Sequence, residues 1–497
     1  MNHHVAVPSF SSASPPFRLS CIGPVWLLGF VCLHAFGIGL RSANADETSS
    51  PRPNVILCMA DDMGWGDVAY NGHPDLRTPH LDAMSREGIR FDRFYSGSSV
   101  CSPTRGSCYT GRNSIRFGIN TANHGRLLER ELVLPEIMKQ HGYRTGHFGK
   151  WHLGTLTTKV KDANRGRPGN TDDYSPPWEH SVDVSFVTES KVPTWNPLQV
   201  PAEGYGHSAG AAGKEPGQFY GTHYWIGPDQ SVTENVSGDD SRVVMDRALK
   251  FISDSVENDQ PFMAVIWFHT PHKPTIAGGK YLQMYNDFPI DRRHYYGSIT
   301  ALDDQVGRLR QTLADLGVDR DTMLWYCSDN GPEGKKGKDP GTAGHLRGRK
   351  RDLLEGGIRV PGILVWPQRI SEPRTLSIPC FTSDYVPTIA DVLGFDLPDD
   401  RPYDGISLLP WIDGGDSKRP SPLMFEYGQS VALIDQRYKL YRPKGKNTRF
   451  QLFDLIDDPG EAQDLASEHP ELVRRYAQQL QDWRESCQQS QEKSGLR

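Results

Sequence analysis

Cysteine is scarce in this chain: eight in 497 residues, too few for a disulfide-built scaffold. Basic charge is not in excess either. Lys and Arg number 55 against 61 Asp and Glu, a formal net charge of −6, which removes the electrostatic reason to expect nucleic acid or an anionic membrane as partner. Long apolar runs are nearly missing, so a multi-span membrane protein is excluded. Internal repeats and low-complexity tracts are absent as well. What is present is ample core material, 37% apolar and 10% aromatic residues, over a length greater than one hydrophobic core usually supports. The expectation is a soluble globular protein with a large domain over residues 51–414 and a small one over 415–497. Composition says nothing of what it does.

The single long apolar run occupies residues 25–40 (VWLLGFVCLHAFGIGL), with Arg18 before it and Ala43-Asn44-Ala45 after it. A basic start, a run too short to span a bilayer and small residues for a peptidase are the parts of a secretory signal, predicted here over residues 1–45 with cleavage after Ala45. An uncleaved anchor is the competing reading. Export implies a secreted or periplasmic protein with no stable membrane association. Removal of the signal takes Cys21 and Cys32 with it and leaves Cys58, Cys101, Cys108, Cys327, Cys380 and Cys487.

Asn54–Ala60 (NVILCMA) is apolar throughout and ends in Asp61-Asp62, as a strand buried on both faces of a parallel sheet should be. Residues 146–148, 262–268 and 323–327 have the same texture. Helical patterns lie between them at 132–141, 241–258 and 292–316. Strands alternating with helices predict an α/β fold with a mostly parallel sheet, whose ligands gather just beyond the carboxyl ends of the strands. Residues 155–235, rich in Gly, Pro, Trp and Tyr, read as long loops over the sheet; their aromatics Trp178, Trp195, Tyr205, Tyr220, Tyr224 and Trp225 either stack on sugar rings or pack beneath the loops. After about residue 415 come short alternating runs (431–434, 438–441, 451–455) and an amphipathic helix (470–486), which predict a small antiparallel sheet with one helix.

Two of the buried strands end in oxygen ligands followed by a turn: Asp61-Asp62-Met-Gly64 and Ser328-Asp329-Asn330-Gly331. Three carboxylates and a carboxamide make a hard, all-oxygen set suited to Ca²⁺ or Mg²⁺ and poor for zinc. Either pair alone is a common turn signal; both at the ends of strands in one sheet point to a metal site. Between them lies Cys101-Ser-Pro-Thr-Arg105-Gly-Ser-Cys-Tyr-Thr110-Gly-Arg112. This resembles the sulfatase signature C-x-P-[ST]-R followed by T-G-R. The resemblance extends through Gly149-Lys-Trp-His-Leu-Gly154, Thr270-Pro-His-Lys-Pro274, Ser328-Asp-Asn-Gly331, Glu355-Gly-Gly-Ile-Arg-Val-Pro361 and the C-terminal Asp458-Pro-Gly-Glu461. In motif spelling, arylsulfatase A and galactosamine-6-sulfatase types look most similar.

The resemblance implies an alkaline-phosphatase-like fold and a sulfuric ester hydrolase. In that family the signature cysteine is oxidised to formylglycine by a formylglycine-generating enzyme, and the aldehyde hydrate attacks sulfur. Carried over residue by residue, Cys101 becomes the nucleophile, Arg105 supports the hydrate, and Asp61, Asp62, Asp329 and Asn330 hold one Ca²⁺. His152 partners the second hydroxyl, Lys150 clamps the sulfate, and His272, rather than His269, protonates the leaving alcohol. Lys350 is assigned as a second sulfate contact by its spacing from Glu355. It lies in Arg347-Gly-Arg-Lys-Arg351, where the family form has a small residue after the lysine, so Arg349 or Arg351 stays open as the contact. The implied substrate is a sulfated small molecule or glycan. A phosphate or phosphonate ester hydrolase of the same fold and a non-catalytic sulfated-glycan binder are the alternatives.

Overall fold

The computed structural model describes residues 52–493 and residue 495; the predicted signal peptide lies outside them. A ten-stranded sheet forms the frame, in the order Arg374–Leu376, Ile89–Phe91, Gly362–Val365, Thr322–Ser328, Asn54–Ala60, Phe262–Trp267, Arg144–Lys150, Val184–Thr188, Tyr224–Gly227, Gln230–Val232. The four strands expected from the sequence are the four central neighbours, all parallel. Their apolar runs have a direct cause. Val55, Leu57 and Met59 face one side with Met263, Val265, Trp325 and Cys327, while Ile56, Cys58 and Ala60 face the other with Ala264, Ile266, Leu324 and Tyr326. Each Val, Leu, Ile or Met among them, fully withdrawn from water, contributes about 1.5–3 kcal/mol. Helices cover both faces, among them Asp240–Glu257 and Ile290–Asp315 on one side and Cys101–Thr110 and Tyr385–Leu393 on the other.

Register brings the chemistry to one edge. Ala60 pairs with Ser328, Met59 with Trp267, and Trp267 with Gly149, so Asp61, Asp329 and Lys150 emerge on neighbouring strands. Gly149 has φ +99°, and a Cβ there would sit 2.0 Å from the Trp267 carbonyl oxygen; only glycine lets the strand approach this closely before delivering Lys150.

The reading of 155–235 as loops is corrected: Val184–Thr188 adds to the sheet in parallel beside Arg144–Lys150, and Tyr224–Gly227 and Gln230–Val232 extend it antiparallel. Most of the aromatics there are structural. Tyr205, Tyr220, Tyr224 and Trp225 are buried, Tyr224 stacking on Phe186 at 4.4 Å. The C-terminal sheet has a fourth strand, Leu423–Tyr427, ahead of the three expected, and its helix continues to Lys493 because the added turns bury Cys487 and Ser490. One face of this small sheet packs with Leu353, Leu354 and Ile358, the other with that helix. Lys439 on the sheet reaches through to Glu355 at 3.1 Å and Glu461 at 2.8 Å, and the Glu355 amide donates to Glu461 at 2.8 Å. All six described cysteines are buried and free, and no helix among the described residues is long and apolar enough to cross a membrane.

Candidate active site

Cys101 opens the helix Cys101–Thr110, whose ten residues are all buried, and is itself 2% exposed. Arg105, one turn on, shares its face. The guanidinium donates to Asp329 Oδ2 at 2.6 and 3.2 Å and to the Lys150 carbonyl at 3.2 Å, and lies 5.1 Å from the Trp267 ring. Arg105 thus ties three strand ends together, and its hydrogen bonds go to Asp329 and the Lys150 backbone rather than to Cys101.

The four expected metal ligands converge. Asp62 N donates to Asp329 Oδ1 at 3.0 Å, and the Asn330 amide nitrogen donates to Asp62 Oδ1 at 2.7 Å. The Lys150 ammonium lies 2.7 Å from Asp61 Oδ2, and that of Lys350 lies 2.6 and 2.8 Å from the Asp62 oxygens. Two buried oxygens, Asp61 Oδ1 and Asn330 Oδ1, accept no hydrogen bond. Ligand atoms of Asp61, Cys101 and Asp329 fall within 4.8 Å of one another. Uncommitted hard oxygens in a closed carboxylate cluster fit a calcium-type cation. Electrostatics agree. Burial, then the neighbouring Asp61, pushes Asp329 up to about 6, whereas burial at Asp62 is overcome by Lys350 and then His272, which hold its carboxyl well below the usual range. A divalent ion would relieve that crowding of like charge.

His152 is held neutral by burial, with Lys150 adding to the effect. Its Nε2–H donates to Asn123 Oδ1 at 2.7 Å, which leaves Nδ1 a buried acceptor with no hydrogen bond. His272 donates from Nδ1 to the Lys273 carbonyl at 2.7 Å and turns Nε2 to within 3.7 Å of Asp62. His269 is fully engaged, with Asp240 at 2.8 Å and Thr188 at 2.7 Å, as a structural histidine would be. Beside the open choice at Lys350, Arg349 donates to the carbonyls of Glu333 and Gly341, Arg351 pairs with Glu333, and Lys350 alone of the three touches an expected metal ligand, Asp62. Burial raises the Cys101 thiol against the pull of Lys150 and Lys350, so the unmodified residue is a poor nucleophile.

Cys101, Lys150, His152, His272 and Lys350 line a cavity of about 480 Å³ together with Asn123, Lys191 and Glu333. Sequence reasoning missed those three: they come from loops with no fixed spacing, and Asn123 shows only afterwards as the partner of His152. A larger cavity, about 690 Å³, lies under the C-terminal helix and holds none of the motif residues.

A cysteine-headed helix, an oxygen-ligand cluster and paired lysines and histidines at the edge of a parallel sheet define an alkaline-phosphatase-like hydrolase for anionic esters. Residues 53–395 match the family model described as "Sulfatase", and residues 345–486 that described as "N-sulphoglucosamine sulphohydrolase, C-terminal". The chain belongs to the sulfatase family, and it is a sulfuric ester hydrolase. Steryl-sulfatase of Mus musculus is 28% identical over 89% of this chain and 83% of its own length. N-acetylgalactosamine-6-sulfatase of Canis lupus familiaris is 29% identical over 80% and 72%. Among solved structures, Ps i-CgsB in complex with k-i-k-neocarrahexaose superposes with a TM-score of 0.75 at 23% identity, covering 88% of this chain and 94% of its own. The phosphonate monoester hydrolase of Agrobacterium radiobacter gives 0.63 at 19%, covering 88% and 96%, which shows that the fold is shared beyond sulfate esters.

Proposed function

We propose that this protein releases inorganic sulfate from a sulfated carbohydrate outside the cytoplasm, using formylglycine made from Cys101 and one Ca²⁺ held by Asp61, Asp62, Asp329 and Asn330. The aldehyde hydrate would supply the nucleophile, and the ion would offset sulfate charge and acidify the attacking hydroxyl. The chain's own residues do the rest. Lys150 and Lys350, poised on Asp61 and Asp62, are placed to donate charged hydrogen bonds to the sulfate oxygens. His152, which lines the same cavity as Cys101, offers its bare Nδ1 as proton acceptor, held in that tautomer by Asn123. His272 directs Nε2 at the pocket; burial keeps it neutral in the free site, and Asp62 together with an incoming anion would draw a proton onto it for the departing alcohol. Arg105 keeps Asp329 and the Lys150 backbone in register.

A carbohydrate is favoured because the family's relatives include N-acetylgalactosamine-6-sulfatase and the solved neighbours were crystallised with neocarrahexaose and with D-glucosamine-2-N,6-O-disulfate. Export rests on the apolar run and small residues of 1–45, and maturation by a formylglycine-generating enzyme on the Cys101 motif. The observation that carries the reading is Cys101 in its full motif within 4.8 Å of Asp61 and Asp329. Mass spectrometry of the peptide containing Cys101, from a preparation that hydrolyses 4-nitrophenyl sulfate, tests it. An aldehyde is expected; an unchanged thiol in active enzyme would overturn it. Parallel turnover of 4-nitrophenyl phosphate should be far slower, and a dominant phosphatase rate would reassign the chemistry.

A further inference from the structure

Five cations line the catalytic cavity, and four are already committed to carboxylates. Lys150 is on Asp61, Lys350 on Asp62, Arg351 on Glu333, and Lys273 on Asp339 at 3.3 Å, with its ammonium 4.3 Å from the Tyr205 ring. Lys191 is the fifth. It follows the strand Val184–Thr188 at the same sheet edge, is part-buried, and lines the cavity with Cys101 and His272. Among the described residues its ammonium has no ion pair or hydrogen bond. The backbone around it is fixed instead: the Lys191 carbonyl accepts from Thr222 at 3.3 Å, and Asn164 donates to Ser190 Oγ at 2.8 Å. Burial, then repulsion from Lys150 and Lys350, makes its charge costly where it stands. A part-buried cation with no partner, in a cavity whose other cations each rest on a carboxylate, is the arrangement of a site that receives an anion. One sulfate group is already provided for by Lys150, Lys350 and the oxygen-ligand cluster, so Lys191 is surplus to it.

Resting on the sulfatase reading, we infer that Lys191 is a specificity residue that binds a second anionic group of the substrate, a carboxylate or a further sulfate carried beside the scissile ester. The substrate class is thereby narrowed to multiply anionic glycans: a sulfated sugar that bears, or adjoins, a uronate or another sulfate. Nothing in the family motifs specifies this residue, since it lies in none of them.

The test compares wild type with Lys191→Met and Lys191→Arg on three aryl esters: 4-nitrophenyl sulfate, its ring-carboxylated analogue and its ring-sulfated analogue. Lys191→Met should lose at least about tenfold more kcat/KM on an anion-bearing ester than on the plain one, chiefly through KM. Lys191→Arg should recover most of the loss. Whichever analogue shows the larger differential names the second group as carboxylate or sulfate. Equal losses on all three would make Lys191 a contact of the scissile sulfate and overturn the inference, as would no loss on any. Wild type that turns over none of the three would overturn the sulfatase reading itself, and the inference with it; turnover without a Lys191 differential overturns the inference alone.

Discussion

At the sheet edge, Asp61, Asp62 and Asp329 face Arg105, Lys150 and Lys350; beneath the small sheet, Lys439 lies between Glu355 and Glu461. Both clusters are sealed from solvent, yet they are built differently. In the second, Tyr95 also donates to Glu355 at 2.9 Å and Arg359 approaches it at 3.6 Å, and Glu461 Oε1, which accepts no hydrogen bond, still lies 2.8 Å from the Lys439 ammonium, so each carboxylate meets a protein cation. Such a knot joins the C-terminal sheet to the segment that carries Lys350. In the first, three carboxylates balance three cations while Asp61 Oδ1, Asn330 Oδ1 and His152 Nδ1 are left uncommitted next to a cavity. Buried charge that serves the fold closes on itself; buried charge that serves chemistry keeps atoms in reserve. A divalent ion would tip the sheet-edge balance positive, which is what a sulfate ester requires.

That contrast sets the order of the expected effects. Cys101→Ala should cost about 10,000-fold or more in turnover of 4-nitrophenyl sulfate while shifting the urea midpoint little, because no fold contact depends on the thiol. A wild-type rate would place the nucleophile elsewhere. Next, exhaustive chelation should lower activity on the order of 100-fold, with Ca²⁺ restoring it and Mg²⁺ not, since Ca²⁺ accepts an irregular all-oxygen set whereas Mg²⁺ demands a near-ideal octahedron. Restoration by Mg²⁺ alone would correct the metal. Asn330→Ala should raise the Ca²⁺ concentration needed for half-maximal rate.

The second cluster should respond in the opposite currency. Lys439→Met leaves two buried carboxylates without their shared cation and should cost about 3–5 kcal/mol in urea unfolding. A cost under about 1 kcal/mol would show that the knot is not what holds the small sheet. The smallest effect separates structural histidines from those in the cavity. His180, buried against Trp151 and hydrogen-bonded to Ser175 at 2.7 Å, is lowered by burial to about 4. Its folded value lies below its unfolded one near 6.5, so its share of stability is complete above that pH and is lost as pH falls toward 4. The stability gap between wild type and His180→Gln should therefore narrow from pH 7 to pH 4.5, by at most about 1.4 kcal/mol per pH unit. A constant gap would mean that the two states bind the proton equally.

The sequence showed most clearly what two buried faces impose. Asn54–Ala60 and its three parallel neighbours had to be apolar at every position, and their ends had to carry whatever polar groups the edge uses. Val184–Thr188 was hidden because Ser185 and Thr188 break its apolar run, and Arg374–Leu376 and Ile89–Phe91 because three residues carry no period. In the site, motif residues on strand ends and on the Cys101 helix could be named in advance. Lys350 could not be told from its arginine neighbours, because that choice depends on how the 347–359 turn sits on Asp62. Asn123 and Lys191 were invisible, since loops bring them in by tertiary contact alone.

The near-complete enclosure of Cys101 has a consequence in time. A side chain in the first turn of a fully buried helix offers nothing for another protein's active site to grip. On the proposed reading, its conversion has to take place before the helix is enclosed. Access to the thiol therefore has to precede the packing that encloses it, which includes Lys350 on Asp62 beside the cavity.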